Sequence, residues 1–140
     1  MNPDPVVRFQ EVFNALDAQN LHLVEELYGA TIHFEDPMHT VRGLADLKAY
    51  FARLYANVEI CRFEFHAVTT NGDTAMLTWT MTLKHKTFRP AETARIPGAS
   101  WIRTASGKVV FHRDYFDVGG LIYERVPVLG AVVRTIKARL

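Results

Sequence analysis

Cysteine is nearly absent from this chain. Cys61 is the only one in 140 residues, so no internal disulfide can form, and the usage fits a reducing compartment. No catalytic signature surrounds Cys61, which reads as a buried structural thiol. One-sided charge is absent too. Sixteen basic and 15 acidic residues leave a net charge of +1, giving neither a basic stripe for nucleic acid nor an acidic solvating tail. No apolar run approaches the roughly 20 residues that a membrane span needs. Met1-Asn2-Pro3-Asp4-Pro5 lacks the basic-then-apolar order of a signal peptide. A soluble, cytoplasmic protein is therefore expected, with no nucleic-acid partner.

Chemical motifs are also few. There is no Gly-rich phosphate loop and no Gly-x-Ser-x-Gly elbow, so nucleotide cofactors and serine hydrolysis have no support. His33, His39, His66, His85 and His112 are scattered without a ligand spacing, so neither a metal nor a cofactor is expected.

What the chain does have is apolar bulk. Hydrophobic residues make up 49%, with nine Phe, five Tyr and two Trp. That supports a packed core in one domain spanning residues 1–140. Asp4 followed by Pro5 is a helix start, and Val6, Phe9, Phe13 and Leu16 at spacings of three and four predict a helix over residues 5–18. Asn20 can cap a second short helix, with Leu21, Val24, Leu27 and Tyr28 inside and Gly29 ending it. A strand follows, and Gly43 then opens a third helix with the stripe Leu44, Leu47, Phe51, Leu54 and Tyr55.

Past Asn57 the period changes to two. Cys61, Phe63, Phe65 and Ala67 alternate with polar residues, Asn71-Gly72-Asp73 is a hairpin turn, and Leu77, Trp79, Met81 and Leu83 alternate with threonines. After a looser segment over residues 84–97, strands are predicted around 99–104 and 108–117, joined by Ala105-Ser106-Gly107. Helices first and an antiparallel meander after give an α+β domain with a curved sheet. Arg134, Lys137 and Arg139 close a C-terminal helix whose dipole they complement. That helix is expected to pack back on the domain rather than contact a membrane.

The short strand Thr31–Met38 carries the main functional signal. Asp36 shares a face with Ile32 and Phe34, and Pro37 holds it extended. A carboxylate aimed at an apolar interior must be paired, protonated or used. The bland alternative is that Asp36 caps the turn before Met38 and His39. His33 lies with Glu35 on the opposite face, solvated or at a dimer contact. His112 and Asp114 share a face of the last strand with Phe116. They either face a pocket, where a histidine beside carboxylates suits proton transfer, or form a satisfied polar cluster with each other, Arg42 or Arg103.

Several stretches resemble the nuclear transport factor two-like superfamily, in particular SnoaL-like domains, ketosteroid isomerases and polyketide cyclases. They are Phe13–Ala18, Glu35-Asp36-Pro37, Gly43-Leu44 through Tyr50-Phe51, Gly107–Val110 into His112–Asp117, and Tyr123-Glu124 with Pro127–Gly130. The resemblance implies a cone, a curved antiparallel sheet wrapped around N-terminal helices with a deep apolar pocket, and dimers packed through the sheet's outer face. It puts Asp36 where ketosteroid isomerases hold their general base. It puts Val12 and Ser100 where they hold the tyrosine and protonated aspartic acid of the oxyanion hole. Val12 cannot donate a hydrogen bond and Ser100 donates more weakly, so a true ketosteroid isomerase reaction would lack its donors.

The resemblance also puts Asp36, His112 and Asp114 on one cavity as catalytic candidates. Asp36 or Asp114 would be the base and His112 the proton donor or orienting partner. Trp79, Ser100, Phe116, Phe51 and Tyr55 are the expected ligand-binding residues. The implied function is cofactor-free acid/base chemistry of isomerase, cyclase or hydratase type on a small apolar molecule. The alternative is a non-catalytic module of the same fold that binds a ligand or protein.

Overall fold

Local sequence explains where each element begins. In the computed structural model, which describes residues 4–87, 92–121 and 127–140, Asp4 caps helix α1 (Pro5–Ala15) by accepting a hydrogen bond from the Val6 amide. The helix stops three residues short of the predicted end. Leu16 turns extended there, and Asn20 caps the turn that follows by accepting from the Asp17 amide and donating to the Ala15 carbonyl. Helix α2 (Leu23–Leu27) is shorter than expected, because Tyr28 and Gly29 open strand β1 (Tyr28–Glu35) instead of closing the helix.

Asp36-Pro37-Met38-His39 then forms a tight loop closed by the Asp36 amide on the His39 carbonyl (2.9 Å). The loop leads to β2 (Thr40–Arg42), a short strand that pairs antiparallel with β1 and was not predicted. Gly43, at φ 89°, admits the backbone turn into α3 (Leu44–Ala56).

The remaining strands are β3 (Val58–Asn71), β4 (Thr74–His85), β5 (Ala94–Ala105) and β6 (Lys108–Phe116), followed by α4 (Val118–Leu121) and α5 (Pro127–Arg139). Strand β5 starts earlier than its sequence suggests. Pro97 and Gly98 read as breakers, but β6 ends opposite Gly98. Pro97 therefore has one sheet neighbour, Thr80 of β4, an edge-type position that a proline tolerates. Gly98 is needed for space, since a Cβ there would lie 2.6 Å from Trp79 Cζ3 and 2.7 Å from the Tyr115 carbonyl. Ser106 and Gly107, both at positive φ, make the two-residue β5–β6 turn.

The six strands form one sheet in the order β2-β1-β6-β5-β4-β3. Only β1 and β6 run parallel; the other neighbours are antiparallel. This is an α+β fold with N-terminal helices over a curved open sheet. The helices cover one face with Phe9, Phe13, Leu27, Leu47 and Phe51, which meet Ile32, Phe34, Leu77 and Ile102 of the sheet. A second buried cluster, Trp79, Met81, Ala94 and Ile96, sits at the other end of β4 and β5.

The C-terminal helix is described in part, and its described residues are mixed in burial. Gly130 is buried, but Val132 and Ile136 are exposed, and Lys137 reaches Asp117 at 3.3 Å. The expected Tyr123-Glu124 segment lies outside the described residues.

Candidate functional site

Between the two clusters lies a cavity of about 390 Å³, bounded by α3, the Asp36–His39 loop and the inner faces of β3 to β6. Its walls are aromatic and aliphatic, with Phe34, Phe51, Phe63, Trp79, Met81 and Phe116 prominent. Its volume is that of a small-molecule site. Two carboxylates border it, Asp36 and Asp114.

Asp36 follows the last residue of β1 rather than lying within the strand, yet its side chain is only 6% exposed. Oδ1 accepts from the amides of Met38 and His39, both at 2.8 Å, and Oδ2 accepts from the Tyr50 hydroxyl. The two sequence readings of Asp36 thus coexist: it caps the turn and it borders the cavity. Burial, and then the Asp36 hydrogen bond, push the Tyr50 phenol far above its ordinary range, so Tyr50 keeps its proton and acts as a donor. His39 Nδ1 lies 3.3 Å from the same hydroxyl.

Asp114 is held differently. Its Oδ1 accepts from Ser100 Oγ (2.5 Å) and from His112 Nε2 (2.6 Å). Ser100 in turn accepts from Trp79 Nε1 (2.9 Å), and His112 Nδ1 meets the Tyr28 hydroxyl at 2.7 Å. With a carboxylate as the acceptor, Nε2 carries the hydrogen, and Nδ1 of a neutral ring accepts from Tyr28. Burial, then the charge of Asp114, raise the Tyr28 phenol, which keeps that donor protonated. Oδ2 of Asp114 has no hydrogen-bond partner among the described residues. Every fully buried side-chain nitrogen and oxygen among them is satisfied, so Oδ2 is open to the cavity that Asp114 borders.

His112 does not reach the cavity, contrary to the sequence expectation. It is 1% exposed and sits behind Asp114, with Phe9, Phe13 and Phe34 edge-on at 4.9 to 5.8 Å. Strand alternation sets the face of a residue but not its depth under the helices. Ser100 is likewise buried and does not border the cavity, whereas Trp79, Phe116, Phe51 and Tyr55 do. Val12 packs in the core. Arg103 lies over the Phe111 ring on the outer face and takes no part in the cluster.

Tyr50 and Tyr28 are polar residues to which the sequence reading gives no role at the site: it puts Tyr28 inside the second helix, whereas the structure puts it in β1. Tyr50 lies three residues after Leu47, on the buried stripe of α3, and Tyr28 shares strand period two with Ile32 and Phe34. Either spacing was a usable signal. Cys61 borders the cavity as a free thiol, and burial raises its pKa to about 11. Among the described residues no cluster of three or more His, Cys, Asp or Glu could hold a metal. No helix of the described residues is long and apolar enough to cross a membrane.

Residues 9–112 match the SnoaL-like domain, and the chain belongs to that family. No curated protein matches it in sequence. Among solved structures it is similar to a hypothetical protein of ketosteroid isomerase-like fold from Catenulispora acidiphila, in complex with trimethylamine (TM-score 0.74, 17% identity, covering 87% of this chain and 92% of that one). A candidate SnoaL-like polyketide cyclase from Jannaschia sp. CCS1 superposes equally well (TM-score 0.74, 16% identity, 84% and 88% covered). An epoxide hydrolase of M. tuberculosis superposes over 94% of this chain and 96% of its own (TM-score 0.72, 18% identity). At these identities the likeness establishes the fold.

Proposed function

We propose that the protein binds a small, largely apolar molecule in this cavity and moves a proton on it with side chains alone, in an isomerase-, cyclase- or hydratase-type reaction. Asp114 is the base. The observation that carries this is the asymmetry of its two oxygens: Oδ1 is fixed by Ser100 and His112, and Oδ2 is left toward apolar space. A carboxylate so oriented is preorganised to take a proton from a carbon next to a carbonyl. His112 is a positioning residue, locking Asp114 and locked by Tyr28. Tyr50, whose single O–H is held by Asp36 at the same cavity, would swing that hydrogen from Asp36 to the oxygen on which charge develops, leaving Asp36 to its two amide donors. Asp36 is a poorer base, because both its oxygens already accept hydrogen bonds.

Exchange of the α-hydrogens of 2-tetralone in deuterated water, followed by proton NMR, tests the reading. The ketone is apolar, and exchange needs only abstraction and return of a proton. The protein should accelerate exchange over buffer, and Asp114→Asn, which keeps an acceptor for His112 and Ser100, should lose about 100-fold or more. Full exchange by Asp114→Asn overturns the assignment. Tight binding of 2-tetralone without any acceleration favours the non-catalytic binding module instead.

The same reading takes the protein to be a cytoplasmic homodimer joined through the outer face of the sheet. There Met76 and Trp101 are exposed side by side on β4 and β5, and Tyr115 is exposed two residues beyond Trp101's partner Arg113 on β6. Exposed aromatic residues on one face support such an interface. Trp101→Glu should convert a dimer to a monomer in sedimentation velocity; a monomeric parent protein sinks the idea.

A further inference from the structure

Arg53 is the one lysine or arginine among the described residues that borders the cavity. Arg8, Lys48, Lys84, Arg95, Arg113 and Lys137 reach a carboxylate within 4 Å, whereas Arg42, Arg62, Lys86, Arg103, Lys108 and Arg139 make no such pair among the described residues. Nor does Arg53 make one among them. Its helix explains why. The positions three and four residues away on α3 and just beyond it are Ala49, Tyr50, Ala56 and Asn57, so no acidic residue sits where a helical ion pair forms. Tyr50, one turn earlier, points the same way, and its phenol feels the Arg53 charge.

Arg53 also borders a polar groove running away from the mouth, where Arg42 and Asp46 lie. Asp46, two turns before Arg53, makes no ion pair with it. A guanidinium without an ion pair is exposed where it borders an apolar cavity, while the carboxylates of that cavity, Asp36 and Asp114, have side chains only 6% and 18% exposed.

We infer that the ligand is an amphiphile, an apolar ring body carrying one acidic oxygen group, and that Arg53 fixes its orientation by holding that anion at the mouth. This rests on the cavity being the ligand site. Attraction at the rim and repulsion within act together. Arg53 offers a planar donor fork matched to a carboxylate, and the inner carboxylates disfavour an anion that enters head first. The neutral end of the molecule is thereby sent to Asp114 and Tyr50. Arg42 extends the cationic path for a longer acidic substituent.

The test compares 2-naphthoate with 2-naphthamide, which share a ring body and differ in charge. Titrations of the full chain are followed by calorimetry and by the indole NMR signals of Trp79, at the cavity, and Trp101, on the outer face. The acid should bind about tenfold more tightly than the amide, as expected for a charge-assisted contact near solvent. It should shift Trp79 and not Trp101. In Arg53→Met the two affinities should converge, and Arg53→Lys should keep part of the difference. Equal binding of acid and amide by the wild type overturns the inference while leaving the cavity reading intact, as does a preference that survives Arg53→Met. If neither compound shifts Trp79 at millimolar concentration, the cavity reading itself fails and this inference with it.

Discussion

Two histidine–carboxylate pairs lie back to back across the parallel strands β1 and β6. His33 Nε2 meets Glu35 at 2.6 Å on the outer face, and His112 Nε2 meets Asp114 at 2.6 Å on the inner one. Both pairs have the same spacing in sequence, and their strands are in register, with Phe34 opposite His112 and Glu35 opposite Arg113. The surroundings separate them. The outer side chains are 27% and 28% exposed, with Arg113 at 3.4 Å from Glu35 and Phe111 stacked on His33. The inner ones are 1% and 18% exposed, and His112 is enclosed by aromatic rings. Outside, water can replace any lost partner. Inside, loss of one partner leaves a polar group with nowhere to turn. A motif of two residues thus acquires a role only from what the fold packs against it.

Replacing the inner histidine should give the largest effect. His112→Ala removes a buried ring, strands the Tyr28 hydroxyl, and frees Asp114 from one of its two anchors. The expected destabilisation is about 3 kcal/mol, from lost packing and an unsatisfied buried donor. That is a large part of the roughly 5–15 kcal/mol that holds a domain of this size. Urea unfolding followed by Trp fluorescence would measure it. A loss no greater than that of His33→Ala would erase the distinction between the two faces. Exchange of 2-tetralone sharpens it further: His33→Ala should leave the rate unchanged, and His112→Ala should lower it by loosening Asp114.

Much of this division could be read from the sequence, and the part that could not has physical causes. The Asp4 cap, the hairpin at Asn71–Asp73 and the alternation of β3 and β4 depend on local rules, and the structure follows them. Asp36 was legible as a carboxylate that either caps a turn or faces a cavity; its two oxygens do both, which no single-role reading anticipates. Tyr28 was misassigned because Val24, Leu27 and Tyr28 fit a helical stripe as well as Tyr28, Ile32 and Phe34 fit a strand. The face shared by His112 and Asp114 followed from period two. That His112 is roofed by Phe9 and Phe13 of α1 depends on contacts about 100 residues apart in sequence, beyond the reach of any local pattern. Arg53 was invisible for the same reason: what distinguishes it is its place beside the cavity, and that place is set by tertiary packing.

The smallest effect belongs to the outer pair, and its pH dependence gives the finest test of the comparison. The hydrogen bond from His33, opposed by slight desolvation and aided by the charge of Arg113, lowers the Glu35 pKa from 4.5. A carboxyl whose pKa is lower folded than unfolded contributes stability above its unfolded value, and that contribution fades as pH falls through the folded value. Glu35→Gln should therefore be slightly less stable than the parent at pH 7. The gap should close as pH falls below about 4.5, the model-peptide range for a glutamate, and shrink with added salt, since the pair is solvated. Urea midpoints at pH 7 and pH 3, each at low and high salt, would show it. A gap that stays constant with pH, or grows toward acid, means that Glu35 acts through packing rather than charge. The outer pair would then resemble the buried one more closely than its exposure suggests.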